Sequence, residues 1–165
     1  MSEETIFSNP VPPYYIKTTY GVRGKWWGWS LDKATGKWTK GQTNGMGNHT
    51  GYDFPCPVQT DCLAVEDGVI VYEETDWSKN NPRTKGRKAG NYVVLRAKGL
   101  NVSYAHLTTV DVKTGQKVKR GERIASSGAT GNVTGPHLHI SFRKPNGQWI
   151  PVRFMPTAYP SDRLL

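Results

Sequence analysis

Eighteen glycines and eleven prolines divide this chain of 165 residues into short segments. Proline interrupts the hydrogen bonding of helices, and glycine is disfavoured inside helices and strands. The segments between these residues are rich in β-branched and aromatic side chains, as strands are. The strongest examples are residues 68–72, 91–96, 101–105, 123–125 and 137–142. The sequence therefore predicts an all-β domain of mostly antiparallel strands, arranged as two sheets or a barrel with long loops.

The length of the chain suits one compact domain, and no segment approaches the roughly 20 apolar residues of a transmembrane helix. We therefore expect a single domain over residues 1–165, with a core at about 14–150 and an extended tail at 150–165. The first five residues include two acids and are not followed by an apolar stretch, so we expect no signal peptide and synthesis in the cytoplasm. We expect a monomer without a membrane span.

Two of the four histidines, His137 and His139, lie two residues apart in the β-prone run that follows Pro136. Residues at this spacing in a strand point to the same face. Both imidazoles should therefore face one side of the sheet, while the apolar residues between them face the core. A single histidine is often an ordinary hydrogen-bonded side chain, so the interpretation depends on the whole set.

His49 and Asp53 lie in a segment whose Gly51 and Pro55 argue against a helix. We expect a turn entering a strand, which can direct both side chains to one ion. Two imidazoles and one carboxylate are a common ligand set of catalytic zinc, with the fourth position left to water. Four histidines exceed this need, so the surplus pair can transfer protons or stabilise an oxyanion. The sequence predicts a zinc cofactor in a groove between the loops.

The same motifs carry a resemblance to a known family. His-x-x-x-Asp at 49–53, Tyr-x-His-Leu at 104–107 and Gly-Pro-His-Leu-His at 135–139 occur in this order in the lysostaphin-like, or LytM-type, zinc metallopeptidases, which the chain resembles from about residue 20 to 142. The resemblance implies a zinc endopeptidase that cleaves peptide bonds in bacterial peptidoglycan, in the stem peptide or the cross-bridge. By analogy, the small chain without a signal indicates a single-domain bacteriophage endolysin that acts on the wall after release during lysis.

Carried over position by position, the resemblance makes His49, Asp53 and His139 the zinc ligands. His106 and His137 become the catalytic pair beside the metal-bound water, and the resemblance does not assign their separate roles. One alternative is a catalytically silent wall-binding or activator domain on the same scaffold, although such relatives usually lack a zinc ligand and none is missing here. Another is a carrier domain, for which no lysine motif at a hairpin tip is present.

Twenty-two Lys and Arg residues against thirteen Asp and Glu residues give the chain a formal net charge of +9, which favours an anionic partner. Five of these cations lie in an acid-free stretch at 79–88, which we expect to be an exposed loop. Basic loops also suit phosphates, but the sequence has no recognisable nucleic-acid-binding module. We therefore expect peptidoglycan and anionic cell-wall polymers as partners, and no nucleic acid.

Two features leave alternatives open. Four of the six tryptophans lie in an aromatic insertion at 24–48, in which residues 33–37 look like a hairpin tip. This insertion is either a self-packed surface loop or a groove wall that grips substrate. Cys56 and Cys62 bracket a short segment and form either a disulfide, if the protein works outside the cytosol, or two buried free thiols.

Overall fold

The computed structural model describes residues 6–18, 27–32, 35, 37–42, 50–78, 88–131, 133 and 135–159, with the backbone alone at 27–32 and 37–42. The strands in these ranges are β1 (Ile6–Phe7), β2 (Trp27–Asp32), β3 (Lys37–Gln42), β4 (Gly51–Pro55), β5 (Asp61–Leu63), β6 (Gly68–Glu74), β7 (Asn91–Ala97), β8 (Leu100–Val110), β9 (Lys117–Val118), β10 (Arg123–Ser127), β11 (His137–Arg143) and β12 (Arg153–Phe154). A single 3-10 turn at Pro156–Ala158 is the only helical element of the described chain. The predicted all-β fold is confirmed, and none of the described segments is a helix able to cross a membrane.

Most strands belong to one antiparallel sheet in the order β4, β11, β8, β7, β6 and β9. β10 adds a branch, because it pairs with both β8 and β5. β2 and β3 form an antiparallel hairpin on either side of the predicted tip, with Asp32 opposite Lys37. β1 and β12 form a small parallel pair. The mostly antiparallel arrangement agrees with the prediction.

The strands at the centre of the sheet have one apolar face and one polar face. The large apolar core residues of these three strands lie mostly at alternate positions, as the period of two along a strand requires. These buried residues are Val93, Leu95, Val102, Tyr104, Leu138, Ile140 and Phe142. The opposite face of the same strands is left for polar side chains, and it is the face that bears the functional candidates.

Aromatic rings close one side of the core. Phe142 packs against Phe7 with ring centroids 4.6 Å apart and against Phe154 at 5.7 Å. The Tyr52 ring meets Phe154 edge-on at 5.1 Å. Burial therefore extends beyond the predicted core of 14–150 at both ends, to Phe7 and Phe154. The division of the whole chain into domains stays a prediction.

Cys56 and Cys62 are both buried, and both are free thiols in the structure. Burial raises the pKa of the Cys62 thiol far above its usual range, and the neighbouring Cys56 adds to this effect. A thiol that stays protonated is a poor nucleophile and a poor metal ligand. The sequence left open a disulfide or two buried free thiols, and the structure agrees with the buried free thiols.

Candidate active site

Asp53 and His139 face each other across neighbouring strands. The pairing of β4 with β11 sets them directly opposite, and Nδ1 of His139 lies 2.9 Å from Oδ1 of Asp53. Gly51 permits the close approach of the strands, because a Cβ atom there would lie 2.3 Å from the backbone oxygen of Ile140. Thr18 donates a hydrogen bond of 2.9 Å to Oδ2 of Asp53. One carboxylate oxygen is therefore anchored, and the other is directed at His139.

The chemistry of these two donors fits zinc. Two ligands bound tetrahedrally at about 2.0–2.1 Å from zinc lie about 3.3 Å from each other, and the nitrogen and oxygen here are 2.9 Å apart. The third predicted ligand, His49, lies outside the described residues. Within the part of the chain that is described, no three His, Cys, Asp or Glu side chains are grouped as a metal site would need. Asp53 and His139 are thus the two predicted ligands that the described residues bring together.

His137 lies two residues before His139 on the same face of β11. Its Nδ1 donates a hydrogen bond of 2.9 Å to the carbonyl oxygen of Gly135. Because a neutral imidazole carries one N–H, this bond leaves Nε2 as the proton acceptor. Nε2 lies 3.6 Å from Oδ1 of Asp53, so the acceptor nitrogen faces the same carboxylate oxygen as His139 does.

His106 reaches the cluster through an irregularity in β8. Between the paired residues Val93–Tyr104 and Asn91–Leu107, β8 advances three residues while β7 advances two. The extra residue produces a β-bulge, and bulges redirect side chains. His106 has a φ of 65°, which only a few residues other than glycine adopt.

Contacts from two distant segments hold His106 in place. Its backbone N–H donates to the carbonyl of Ala89 at 2.8 Å, and its Nδ1 donates to the carbonyl of Thr130 at 2.7 Å. The ring centre lies 4.9 Å from that of His137 and 6.1 Å from that of His139. The hydrogen bond at Nδ1 leaves Nε2 as the acceptor, as in His137.

His106 is the most shielded member of the cluster, with 8% of its surface exposed. This burial lowers the pKa of His106 to about 4, against the opposing effect of the hydrogen bond to Thr130. The nearby imidazoles of His137 and His139 lower it further. His106 is therefore neutral near pH 7 and able to accept a proton.

A groove of about 610 Å³ opens beside His106 and His139. Its floor is the polar face of β7, β8 and β11. Tyr72 and Tyr92 contribute to its lining, with ring centres 5.5 Å apart. A peptide lying along this floor would pass directly over His106 and His139.

Four of the five predicted site residues thus lie together: Asp53, His106, His137 and His139. Their separate roles as ligands or catalytic groups stay predictions, as does the role of His49. Sequence reasoning missed the groups that orient them, namely the hydroxyl of Thr18 and the carbonyls of Thr130 and Gly135. The glycine-rich stretch 128–131 was the only signal near Thr130, and no signal marked Thr18.

The chain matches the model of peptidase family M23 over residues 47–151, the part that contains the whole cluster. This chain belongs to peptidase family M23. The family match confirms the resemblance to the lysostaphin-like peptidases. Of the aromatic insertion and the basic stretch, residues 24–26, 33, 34, 36, 43–48 and 79–87 lie outside the described residues, and the roles predicted for both segments stay predictions.

Curated relatives of this M23 chain include the peptidoglycan DD-endopeptidase ShyA of Vibrio cholerae, which is 44% identical over 98 residues, 59% of this chain and 20% of that protein. The DD-carboxypeptidase/endopeptidase Mpg of Neisseria meningitidis is 40% identical over 119 residues, 70% of this chain and 24% of that protein. The chain spans only about a fifth to a quarter of the length of these relatives.

Solved structures repeat the fold. A zinc containing peptidase from Vibrio cholerae is 29% identical with a TM-score of 0.64, covering 90% of this M23 chain and 39% of that chain. The catalytic domain of the prophage-encoded M23 protein EnpA from Enterococcus faecalis is 26% identical with a TM-score of 0.62. The match covers 87% of this chain and 92% of that chain. The catalytic domain of lysostaphin from Staphylococcus simulans is 30% identical with a TM-score of 0.55. The match covers 79% of this chain and 80% of that chain.

Proposed function

We propose that this chain is a zinc metalloendopeptidase that hydrolyses peptide bonds in bacterial peptidoglycan. The observation that carries the proposal is the convergence of Asp53, His106, His137 and His139 in one cluster, with His106 and His139 in the lining of the groove on the polar face of the sheet. Membership of peptidase family M23 supports a peptidase, and relatives named as peptidoglycan endopeptidases support this substrate. The zinc containing peptidase among the structural neighbours supports the choice of metal.

His49, Asp53 and His139 would hold the zinc. The 2.9 Å spacing of the Asp53 and His139 donor atoms supports two of these assignments, and His49 is assigned from its position four residues before Asp53. Thr18 positions the carboxylate through its hydrogen bond to Oδ2. When bound, zinc supplies a Lewis acid and lowers the pKa of a coordinated water toward about 7.

His106 and His137 would move the protons. Each has its Nδ1 hydrogen bonded to a backbone carbonyl, so Nε2 is the nitrogen of each ring that is left to exchange a proton. A neutral imidazole at Nε2 accepts a proton from the attacking water, and an imidazolium at Nε2 stabilises the carbonyl oxygen or protonates the leaving amine. Holding both Nδ1 atoms fixes which nitrogen takes part, and this removes a reorientation step from the reaction.

The biological setting proposed for this activity is lysis by a bacteriophage. We infer an endolysin that is made in the cytoplasm and acts on the wall after release. The likeness of 87% of this chain to 92% of a prophage-encoded catalytic domain supports this setting. Binding to anionic wall polymers and a monomeric state remain part of the proposal on the strength of the sequence alone.

Digestion of purified peptidoglycan tests the proposal. The zinc-loaded protein should free new amino termini, which mass spectrometry assigns to the stem peptide or the cross-bridge. Removal of the metal by a chelator should stop their release, and added zinc should restore it. A protein that binds the wall, holds zinc and frees no amino termini would be the silent wall-binding domain instead.

A further inference from the structure

The polar face of the central sheet continues beyond the imidazole cluster. The groove that begins at His106 and His139 is also lined by Arg96, Arg143 and Trp149. No step of the proposed hydrolysis uses these three side chains. Their arrangement indicates which substrate the groove takes.

Arg96, Asn101 and Arg143 form one row across three adjacent strands. Asn101 of β8 is paired with Arg96 of β7 on one side and with Arg143 of β11 on the other. The row nearer the reaction centre contains His139 and its partner Ala105. Because Arg143 follows His139 by four residues, the two rows lie about 14 Å apart at about 3.4 Å per residue. An extended peptide covers this distance with about four residues.

Both guanidinium groups are held by neighbouring side chains. Nε of Arg96 donates a hydrogen bond of 2.6 Å to Oδ1 of Asn101. The Arg143 guanidinium lies over the Trp149 ring, 5.1 Å from its centre. An arginine has five N–H donors, so each of these contacts leaves the outer edge of the guanidinium free to bind a planar anion. Less side-chain entropy is then lost when a ligand binds.

The groove has a strong imbalance of charge. Its described lining includes Lys88, Arg96 and Arg143 but no Asp or Glu. Elsewhere on the described surface, Lys98, Arg120 and Arg123 each form an ion pair with an acid. No carboxylate of the described residues forms an ion pair with Arg96 or Arg143. Uncompensated cations along one wall of a cleft favour an anionic ligand.

We propose that Arg96 and Arg143 form a subsite that binds a carboxylate of the substrate peptide about four residues from the bond that is cut. A guanidinium binds a carboxylate through two parallel hydrogen bonds, and two guanidiniums in one row hold it from both sides. This inference rests on the proposed function, because it takes the groove as the path of the peptide. The subsite makes the enzyme selective for peptides with a free carboxylate over their amidated forms.

The test uses purified peptidoglycan before and after its free carboxylates are converted to amides with a carbodiimide and ammonia. For the zinc-loaded wild type, amidation should lower kcat/KM by about tenfold or more, because hydrogen bonds between charged groups are the strong ones. The double variant Arg96→Gln with Arg143→Gln should digest both substrates at the same low rate. This loss of additivity identifies the two arginines as the partners of the carboxylate.

A matched control is the double variant Lys117→Gln with Lys119→Gln, which changes the net charge equally at two exposed positions away from the groove. It should keep the wild-type preference for the native wall. The preference should also appear in sedimentation of the chelated protein with the two walls, where no hydrolysis takes place.

Equal digestion of both walls by the wild type would overturn the subsite and leave the proposed function intact. Sedimentation that favours the native wall, without digestion of either wall, would support the subsite and overturn the function. Inorganic polyphosphate serves as a second probe in the sedimentation assay. If it displaces the protein from the wall while amidation has no effect, the row binds an anionic polymer and the proposal is wrong.

Discussion

His137 and His106 bring the same chemical group to one cluster, but the chain positions them by different means. His137 lies in the regular strand β11, where the period of two sets it beside His139. His106 lies at a bulge of β8 with a φ of 65°. Its contacts come from Ala89 and Thr130, which lie far from it in the sequence. One half of the cluster is therefore specified locally and the other by tertiary contacts.

This difference has physical consequences. A left-handed conformation at a residue other than glycine costs about 1–2 kcal/mol, and it persists only where the surroundings enforce it. At His106 the enforcement comes with burial, which also keeps the imidazole neutral. His137 is more exposed, with 19% of its side chain accessible. The bulge thus creates a proton acceptor with properties that a regular strand position does not provide.

The largest expected effect is a loss of zinc, and it distinguishes the three proposed ligands from His106 and His137. Asp53→Ala, His139→Ala and His49→Ala should each lose zinc and activity together, because two remaining protein ligands hold the ion too weakly. Metal analysis of the purified variants and amino-terminus release from walls measure the two losses. Full zinc content in any two of the three variants would show that the ligand assignment is wrong.

The next effect concerns the pair itself. His106→Asn and His137→Asn should keep zinc and lose about 10²- to 10⁴-fold in rate, the usual scale of acid–base catalysis. Asparagine is chosen because it tolerates a left-handed backbone, so the bulge at position 106 is kept. Zinc content and kcat on a soluble cross-linked peptide are the measurements. Wild-type turnover in one variant would remove that histidine from the catalytic pair.

A smaller effect is the pH dependence of stability that the protonation of the buried His106 produces. Between about pH 4 and pH 6.5 the unfolded chain protonates His106 while the folded chain does not, so the free energy of unfolding rises with pH through this window. This rise in the free energy of unfolding is at most about 3 kcal/mol, and it ends near pH 6.5. Urea unfolding of the zinc-free wild type and of His106→Asn at pH 4.5 and 7 measures it. Identical pH dependence in the two proteins would contradict the burial argument.

The smallest effect compares backbone strain at the two positions. Comparing glycine with alanine at each position isolates the strain, because both changes remove the imidazole and its contacts. At position 106 the Gly variant should be more stable than the Ala variant by about 1 kcal/mol, because alanine keeps the penalty of a positive φ. At position 137 the Gly variant should be less stable than the Ala variant by about 0.5–1 kcal/mol, because glycine weakens a regular strand. Thermal unfolding of the four zinc-free variants at one pH gives the comparison. An Ala variant at position 106 that is as stable as the Gly variant would show that the bulge carries no strain.

The same contrast explains what the sequence predicts and what it does not. The alternating run 137–142 matches β11 almost to its ends, because period two and a proline start are local signals. The run 101–105 was too short, since β8 continues through the bulge to Val110. Nothing near His106 resembles a bulge signal, such as a glycine at the left-handed position. The bulge follows from the pairing of β8 with β7, which a local pattern does not encode.

The site shows the same division. The positions of Asp53 and His139 follow from motif spacing, but their contact depends on the pairing of β4 with β11, 86 residues apart in the sequence at these side chains. The bond from Thr18 to Asp53 joins residues 35 apart. The row of Arg96 and Arg143 exists only once the register of three strands is known. Side-chain types were therefore predictable, whereas their tertiary partners were not.

The central claim is that Asp53 and His139 share one zinc ion with His49 while His106 and His137 stand beside it. Anomalous diffraction at the zinc absorption edge, from crystals of the zinc-loaded protein, tests this most directly. The account predicts one peak within about 2.0–2.2 Å of an Asp53 oxygen, of Nδ1 of His139 and of a His49 nitrogen. A peak bound by His106 or His137, or no peak near Asp53, would contradict it.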